Sequence, residues 1–339
     1  MRYIGGKSLM IDHIMDVVCR YSEDVHSVTD IFSGTGIVAQ HLKSAGYAVN
    51  TNDVLYFSYV LTRGALELCE PLSLEQRELI EHLNNLTLEN SPWFDVESAF
   101  VYQNYSPHTG CVRMFFQCEN ALKIDLIRQE LERIRNQISE ATYYYLLSLL
   151  IRAVPSVSNI TGTYGAYLKY WDKRTYHKFV LKEQPVIQAS VKCHCYNMDA
   201  LELAGKIASD LTYLDPPYNG RQYLANYHIL ETIARYDYPE IKGITGMRND
   251  PEKMSEFCRK GKAKEAFEKL LNTIRSRYLL LSYNNEGLLS TEEMSYVVKT
   301  VGIPSTFKLF EYDYRRYKNK IPNNTRGLKE QLYFIEKEI

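Results

Sequence analysis

Four consecutive residues, Asp215-Pro216-Pro217-Tyr218, combine a carboxylate, two ring-locked residues and an aromatic ring. Proline fixes φ and has no N–H, and it pushes the residue before it out of the helical region. Two prolines in a row therefore make a stiff elbow. It holds the Asp215 carboxylate and the Pro216 carbonyl side by side as acceptors, with the Tyr218 ring beside them. Paired acceptors suit an amino group with two hydrogens, and a flat ring suits a planar base stacked on it. The expected ligand is the exocyclic amine of a purine or pyrimidine. A strand end merely capped by Asp215 would use the same residues for a turn, so the surrounding elements must decide.

The elbow follows residues 211–214, an apolar run that reads as a buried strand. Residues 27–32 read as another strand, Ser33-Gly34-Thr35-Gly36 as a glycine turn, and 37–45 as a helix that Gly46 stops. A second strand, 47–52, ends at Asp53. Strand, glycine loop, helix, strand and acid is the arrangement of a nucleoside-binding α/β sheet: the glycines let a ligand pass over the loop and the acid accepts from ribose hydroxyls. The spacing Gly34-x-Gly36-x-x-Ala39 also satisfies a dinucleotide fingerprint. A dehydrogenase is thus a rival, but hydride transfer has no use for the Asp215 elbow. Residues 190–196 read as a third strand. Asp199 follows it, placed either to accept from an adenine amine or to cap a helix. Residues 278–283, 305–312 and 330–335 complete the set of strands.

Residues 55–68 read as a helix, after which the regular alternation is lost. Helical spacing returns at 75–86, 124–138 and 140–154. Three parts are expected: 1–68, the first portion of the sheet domain with the cofactor site; 69–189, a largely helical insertion for target recognition or DNA contacts; and 190–339, the rest of the sheet domain with the elbow and basic DNA-facing segments. Within the insertion, the loop 159–169 is expected near the active site, with Tyr164 and Lys169 reaching DNA. Beyond the elbow, Arg221 and Tyr223 are further candidate DNA contacts, His228 packs or binds phosphate, and 241–264 reads as a mobile basic segment. Arg315, Arg316, Lys318 and Arg326, interleaved with Tyr314 and Tyr317, suit a phosphate-holding loop.

Of 339 residues, 45% are hydrophobic and 24% charged, within the range of ordinary globular chains. The net charge of −1 confines any nucleic-acid affinity to local basic patches. No apolar run approaches the ~20 residues of a membrane span and the first residues lack the apolar core of a signal peptide, so a cytoplasmic location is expected. Seven scattered cysteines argue against a disulfide framework. Cys193-His194-Cys195 lacks a second close pair, so no metal site is expected.

Four patches occur in one order: Tyr3-Ile4-Gly5-Gly6-Lys7, then Phe32-Ser33-Gly34-Thr35-Gly36 with Asp53, then Asp199, then Asp215-Pro216-Pro217-Tyr218. Together they resemble the Dam-like (alpha) group of adenine-specific DNA methyltransferases. The 164–169 loop, Asn219-Gly220-Arg221-Gln222-Tyr223 and Ser282-Tyr283-Asn284-Asn285-Glu286-Gly287 look closer to FokI-type modification methylases. The resemblance implies a Rossmann-like seven-stranded sheet with the last strand antiparallel, and S-adenosylmethionine as donor. It implies that Tyr3 and Lys7 line the cofactor pocket, that Phe32, Gly34 and Gly36 pass under the methionine moiety, and that Asp53 binds ribose and Asp199 adenine. Asp215, Pro216, Pro217 and Tyr218 would act on a flipped adenine in double-stranded DNA, in a system that could include a cognate restriction endonuclease. The same elbow could serve a cytosine amine or an RNA amine. A non-enzymatic DNA-binding specificity subunit is the remaining alternative.

Overall fold

The computed structural model describes residues 5–313 and 327–338. Its nine strands are β1 (Ser27–Asp30), β2 (Ala48–Asn52), β3 (Cys193–Tyr196), β4 (Leu211–Leu214), β5 (Ile241–Lys242), β6 (Met247–Arg248), β7 (Tyr278–Asn284), β8 (Lys308–Asp313) and β9 (Lys329–Glu336). Seven form one sheet in the order β3-β2-β1-β4-β7-β9-β8. The first five neighbours pair in parallel, while β9 runs antiparallel to both β7 and β8. The expected sheet, with its last strand reversed, is present.

The chain forms two compact units. One holds the sheet and comprises Lys7–Val54, Val191–Gln222 and the described residues of Met254–Ile339. Every residue of β4 and β7 is buried, as expected of strands covered on both faces. Helix Ile37–Ser44 makes the crossover from β1 to β2, and Gly46 at φ +92° ends it, as expected. Helix Ala263–Thr273 buries Ala263, Ala266, Phe267, Leu270 and Leu271 against the sheet's core cluster. Helix Thr291–Thr300 starts in a Ser290/Glu293 capping box and buries Met294, Val297 and Val298 in the same cluster. Each large apolar side chain so buried contributes ~1.5–3 kcal/mol.

The other unit comprises Leu55–Ser190 and Tyr223–Lys253 with residues 5–6, and is largely helical. Helix Tyr56–Leu66 lies tightly along helix Glu140–Ala153. A Cβ on Gly64 would fall 2.3 Å from Ser148 Oγ and 2.8 Å from the Tyr144 carbonyl. Buried carboxylates cap two helix starts. Glu231 accepts from the Tyr56 and Phe57 amides, and Asp125 from those of Val101 and Tyr102, satisfying donors that a helix start leaves orphaned.

The segment 241–264 corrects the reading of a mobile basic stretch. It contains the β5–β6 hairpin, and the Arg248 side chain is buried between Asp237 (2.8 Å) and Asp250 (2.6 Å). Residues 223–235, in which only Tyr223 and His228 stand out from the sequence, form a helix, Tyr223–Arg235, interrupted by non-helical geometry at Tyr227. Among the described residues no helix is long and apolar enough to cross a membrane.

Candidate active site

Parallel pairing puts the carboxyl ends of β1, β2 and β4 side by side, with Asp30 in register with Thr51 on one flank and Tyr213 on the other. Ligands of open α/β sheets bind along this edge. Asp30 closes β1, Asp53 follows β2 and Asp215 follows β4. The glycine loop after β1 needs its glycines: Gly34 sits at φ +52° and Gly36 at +73°, where a Cβ is strained. The Gly34 amide donates to Asp53 Oδ2 at 3.0 Å, and Ser33 Oγ donates to the Asn52 carbonyl at 3.0 Å. Asn197 Nδ2 donates to the Asp53 carbonyl at 2.7 Å, and Asn52 Nδ2 to that of Met198 at 3.1 Å. The turns after β1, β2 and β3 are thereby tied into one rim. Phe32 is half-buried, edge-on to Phe257 at 5.3 Å.

At the elbow, Lys7 Nζ forms an ion pair with Asp215 Oδ1 at 3.0 Å and with Glu330 Oε2 at 3.4 Å. It lies 5.4 Å from the centre of the Tyr218 ring. Pro216 is buried and Pro217 half-buried. Tyr218 is 5% exposed and meets Tyr283 edge-on at 6.2 Å, and its carbonyl accepts from the Leu288 amide.

The charges here are interdependent. Burial pushes the Asp215 carboxyl up to about 6, the Lys7 ammonium pulls it down, and Glu330 pushes it up again. Burial alone would lower Lys7, but Asp215 and Glu330 outweigh it and hold the ammonium above the ordinary lysine range. Asp30 is held well above the usual carboxylate range by burial, and further by Asp215 and Asp53. Its Oδ1 is buried without a hydrogen-bond partner among the described residues.

Sequence reasoning missed two of these acids. Asp30 had been read only as part of a strand, although an acid in a buried strand just ahead of a glycine loop was a signal. Glu330 had been read only as a strand start; it lies 323 residues from the lysine it pairs with, and no local spacing announces it.

The remaining expected site residues are dispersed. Asp199 is exposed and its Oδ1 caps the amide of Leu201 at 2.8 Å. Arg221 is exposed in the sheet unit. Tyr164, Lys169 and Tyr223 belong to the helical unit. Tyr164 is 1% exposed, its hydroxyl 2.9 Å from Ser158 Oγ and its ring beside Phe115. This corrects the expectation of a DNA contact: the side chain is spent on the interior, out of reach of a duplex on the surface. Lys169 is exposed, at the end of a loop that buried Asn159 secures through Met114, Leu168 and Asp172. Tyr223 is half-buried and stacked near Tyr227. His228 is packed inside, its ring nitrogens facing the Ala225 and Thr245 carbonyls, with burial lowering it to about 4. Tyr3, Arg315, Arg316, Lys318 and Arg326 lie outside the described residues. No group of three or more metal-ligating side chains occurs among the described residues.

A mostly parallel seven-stranded sheet with β9 reversed, a glycine loop after β1, an acid after β2 and a carboxylate elbow after β4 define a Rossmann-like methyltransferase fold. More narrowly, residues 3–297 match the family model of the D12 class N6 adenine-specific DNA methyltransferases, and the chain belongs to that family. It is 43% identical to the type II methyltransferase M.FokI of Planomicrobium okeanokoites over 348 residues, covering 100% of this chain and 53% of that protein. It is 37% identical to the modification methylase StsI of Streptococcus sanguinis, covering 100% of this chain and 52% of that protein. The type II methyltransferase M.NlaIII of Neisseria lactamica is 35% identical, with 99% of each chain covered. The chain thus spans about half the length of the first two relatives and nearly all of the third. Membership of a methyltransferase family implies a methyl donor.

Proposed function

We propose that this chain transfers a methyl group from S-adenosylmethionine to the exocyclic N6 amine of an adenine turned out of double-stranded DNA, at a specific site. We further propose that it serves a restriction-modification system with a cognate endonuclease. What supports the reading is the position of the Asp215-Pro216 elbow, directly after buried β4 at the carboxyl edge of the sheet, beside an acid-rich, glycine-lined rim.

The rim suits such a donor. Three carboxyl groups, Asp30, Asp53 and Asp215, sit together, and burial and mutual repulsion raise Asp30. A cationic ligand relieves that repulsion, and the orphaned Asp30 Oδ1 is an acceptor aimed at none of the described groups. Asp53 would bind the ribose, Asp199 the adenine, and Phe32, Gly34, Gly36 and Lys7 would line the pocket. The bound donor supplies a methyl carbon on a sulfonium, an electrophile with a neutral leaving group.

The chain's own residues do the rest. Asp215 and the Pro216 carbonyl accept the two amine hydrogens, which localises the nitrogen lone pair and aligns it. As positive charge grows on the nitrogen, these fixed acceptors stabilise it without reorganising; the N–C bond forms as the S–C bond breaks, and the alkylated nitrogen then gives up one proton by way of Asp215 to solvent. Tyr218 stacks on the extruded base. Lys169, Arg221 and Tyr223, with Arg315, Arg316, Lys318 and Arg326, would hold the duplex through its phosphates. The helical stretch 69–189 would supply target recognition.

A cytosine amine or an RNA amine fits the same pair of acceptors, and the family to which the chain belongs favours adenine. Incubating the protein with plasmid DNA and S-adenosylmethionine, followed by nucleoside mass spectrometry, tests the reading. N6-methyladenine is the expected product. Methylcytosine would move the target base, and no modified nucleoside in DNA or RNA would sink the proposal in favour of a binding subunit.

A further inference from the structure

Lys7 is shared between two carboxylates. A lysine paired with Asp215 alone would form a neutral couple and draw that carboxylate's electron density towards itself. Here Glu330 Oε2, at 3.4 Å, competes for the same ammonium, so that with both carboxyl groups ionised one Lys7 charge serves two carboxylates. Glu330 is 2% exposed and lies near the start of β9, in register with Asn284 at the end of β7. It is therefore delivered to the elbow by the reversed strand. Burying a second acid here is costly unless it is paired, and Lys7 Nζ provides the pairing. The groups around the Asp215 carboxyl are Lys7 and Glu330, with Tyr213 on its own strand, Tyr218 in the elbow, and Asp30 from β1 with Asp53 behind it.

We propose that Glu330 is a positioning residue for methyl transfer: by holding part of the Lys7 ammonium, it leaves Asp215 a strong acceptor for the substrate amine. The inference rests on the methyltransferase reading above. Without Glu330, Lys7 turns its full charge on Asp215, which becomes easier to ionise but weaker as an acceptor. Without Lys7, Asp215 and Glu330 repel one another and Asp215 becomes harder to ionise.

Opposite shifts in two variants test this. Asp carboxyl carbons labelled with ¹³C are titrated by NMR in the full chain, with Asp215 assigned by its absence in Asp215→Asn. Rates of methylation are measured over the same pH range. In Glu330→Gln the Asp215 midpoint and the acid limb of kcat both move down by about one pH unit. The plateau kcat falls about tenfold, and the KM for S-adenosylmethionine stays within about twofold. In Lys7→Met the midpoint moves up. Glu330→Asp, which keeps the charge but withdraws it from Lys7, shifts the midpoint down by less and serves if Glu330→Gln does not fold. An unmoved midpoint in the Glu330 variants overturns the proposal, because a strand that merely held Lys7 in place would cost activity without retuning Asp215. If the wild type methylates nothing, the functional reading fails, while the NMR titration still decides the three-residue cluster.

Discussion

Replacing Asp215 by asparagine keeps the side chain's size and removes its charge, and the structure sets opposite consequences for activity and stability. Asp215 titrates at about 6 in the fold against an ordinary 3.8. The folded protein therefore holds this proton more tightly than the unfolded chain, so ionising the carboxyl costs stability. At ~1.4 kcal/mol per pH unit, the difference amounts to at most about 3 kcal/mol. The cost is absent below pH ~4, grows between ~4 and ~6, and is fully present above. Asp215→Asn never bears it. At pH 8 the variant should be more stable than the wild type by about 1–3 kcal/mol, and near pH 4 the two should unfold alike. Lys7 keeps Glu330 as a partner in the variant, so no buried cation is stranded. Turnover should move the other way. Losing one preorganised charged acceptor costs ~10²–10³ in kcat, while the affinity for S-adenosylmethionine should change less than about tenfold. Urea denaturation at the two pH values and a methyl-incorporation assay measure both effects. A variant that is destabilised at pH 8, or that keeps wild-type turnover, would falsify the assignment of Asp215 as an acceptor held for function at the expense of the fold.

Three further outcomes follow from other parts of the molecule. Asp53→Ala removes the acceptor of the Gly34 amide and the expected ribose ligand; calorimetry should find S-adenosylmethionine bound at least about tenfold more weakly, and an unchanged dissociation constant removes Asp53 from the cofactor site. Gly64→Ala drives a methyl group to 2.3 Å from Ser148 Oγ; overpacking should cost about 1–3 kcal/mol, partly recovered by adding Ser148→Gly, and an additive double variant would mean the two helices are not in direct opposition. Replacing Arg315 and Arg316 by alanine should weaken binding to all DNA sequences and lower the slope of log K against log salt by about 2; a wild-type slope would leave them as solvated charges.

Much of the sheet unit was legible because its signals are local. The β1–glycine loop–β2 run announces itself within 27 residues, from Ser27 to Asp53, and the buried strands β4 and β7 are short apolar blocks bounded by polar turns. The start of helix Ala263–Thr273 was hidden by composition: Ala263 and Lys264 close the stretch 241–264 that reads as basic, although the buried positions that follow keep helical spacing. Helix Tyr223–Arg235 was hidden for a different reason. His228, Glu231 and Thr232 are fully buried; His228 faces the Thr245 carbonyl, Glu231 accepts from the Tyr56 and Phe57 amides, and Thr232 donates to the His228 carbonyl one turn back, so polarity no longer marks the solvent side and periodicity fails. Tyr164 misled by residue type, since an aromatic hydroxyl in a glycine-bearing loop looks available until Ser158 is seen to take it. The Asp215 elbow could be read from four residues, but the charge that surrounds it could not, because Lys7, Asp30 and Glu330 converge only through the parallel order of the sheet.

The order of strands has a consequence for biosynthesis. β9 is made last among the described strands, yet it lies between β7 and β8. While a ribosome is still making residues before 329, β7 has one flank open and β8 has no neighbour at all. Likewise β2 waits for β3, since Val49 pairs with Cys193. Contacts so distant along the chain close slowly, and unpaired strand edges invite association with other chains. The nascent protein therefore passes through a long interval in which Asp215 and Lys7 are already synthesised but Glu330 is not, and chaperone dependence during translation should be greatest in that interval.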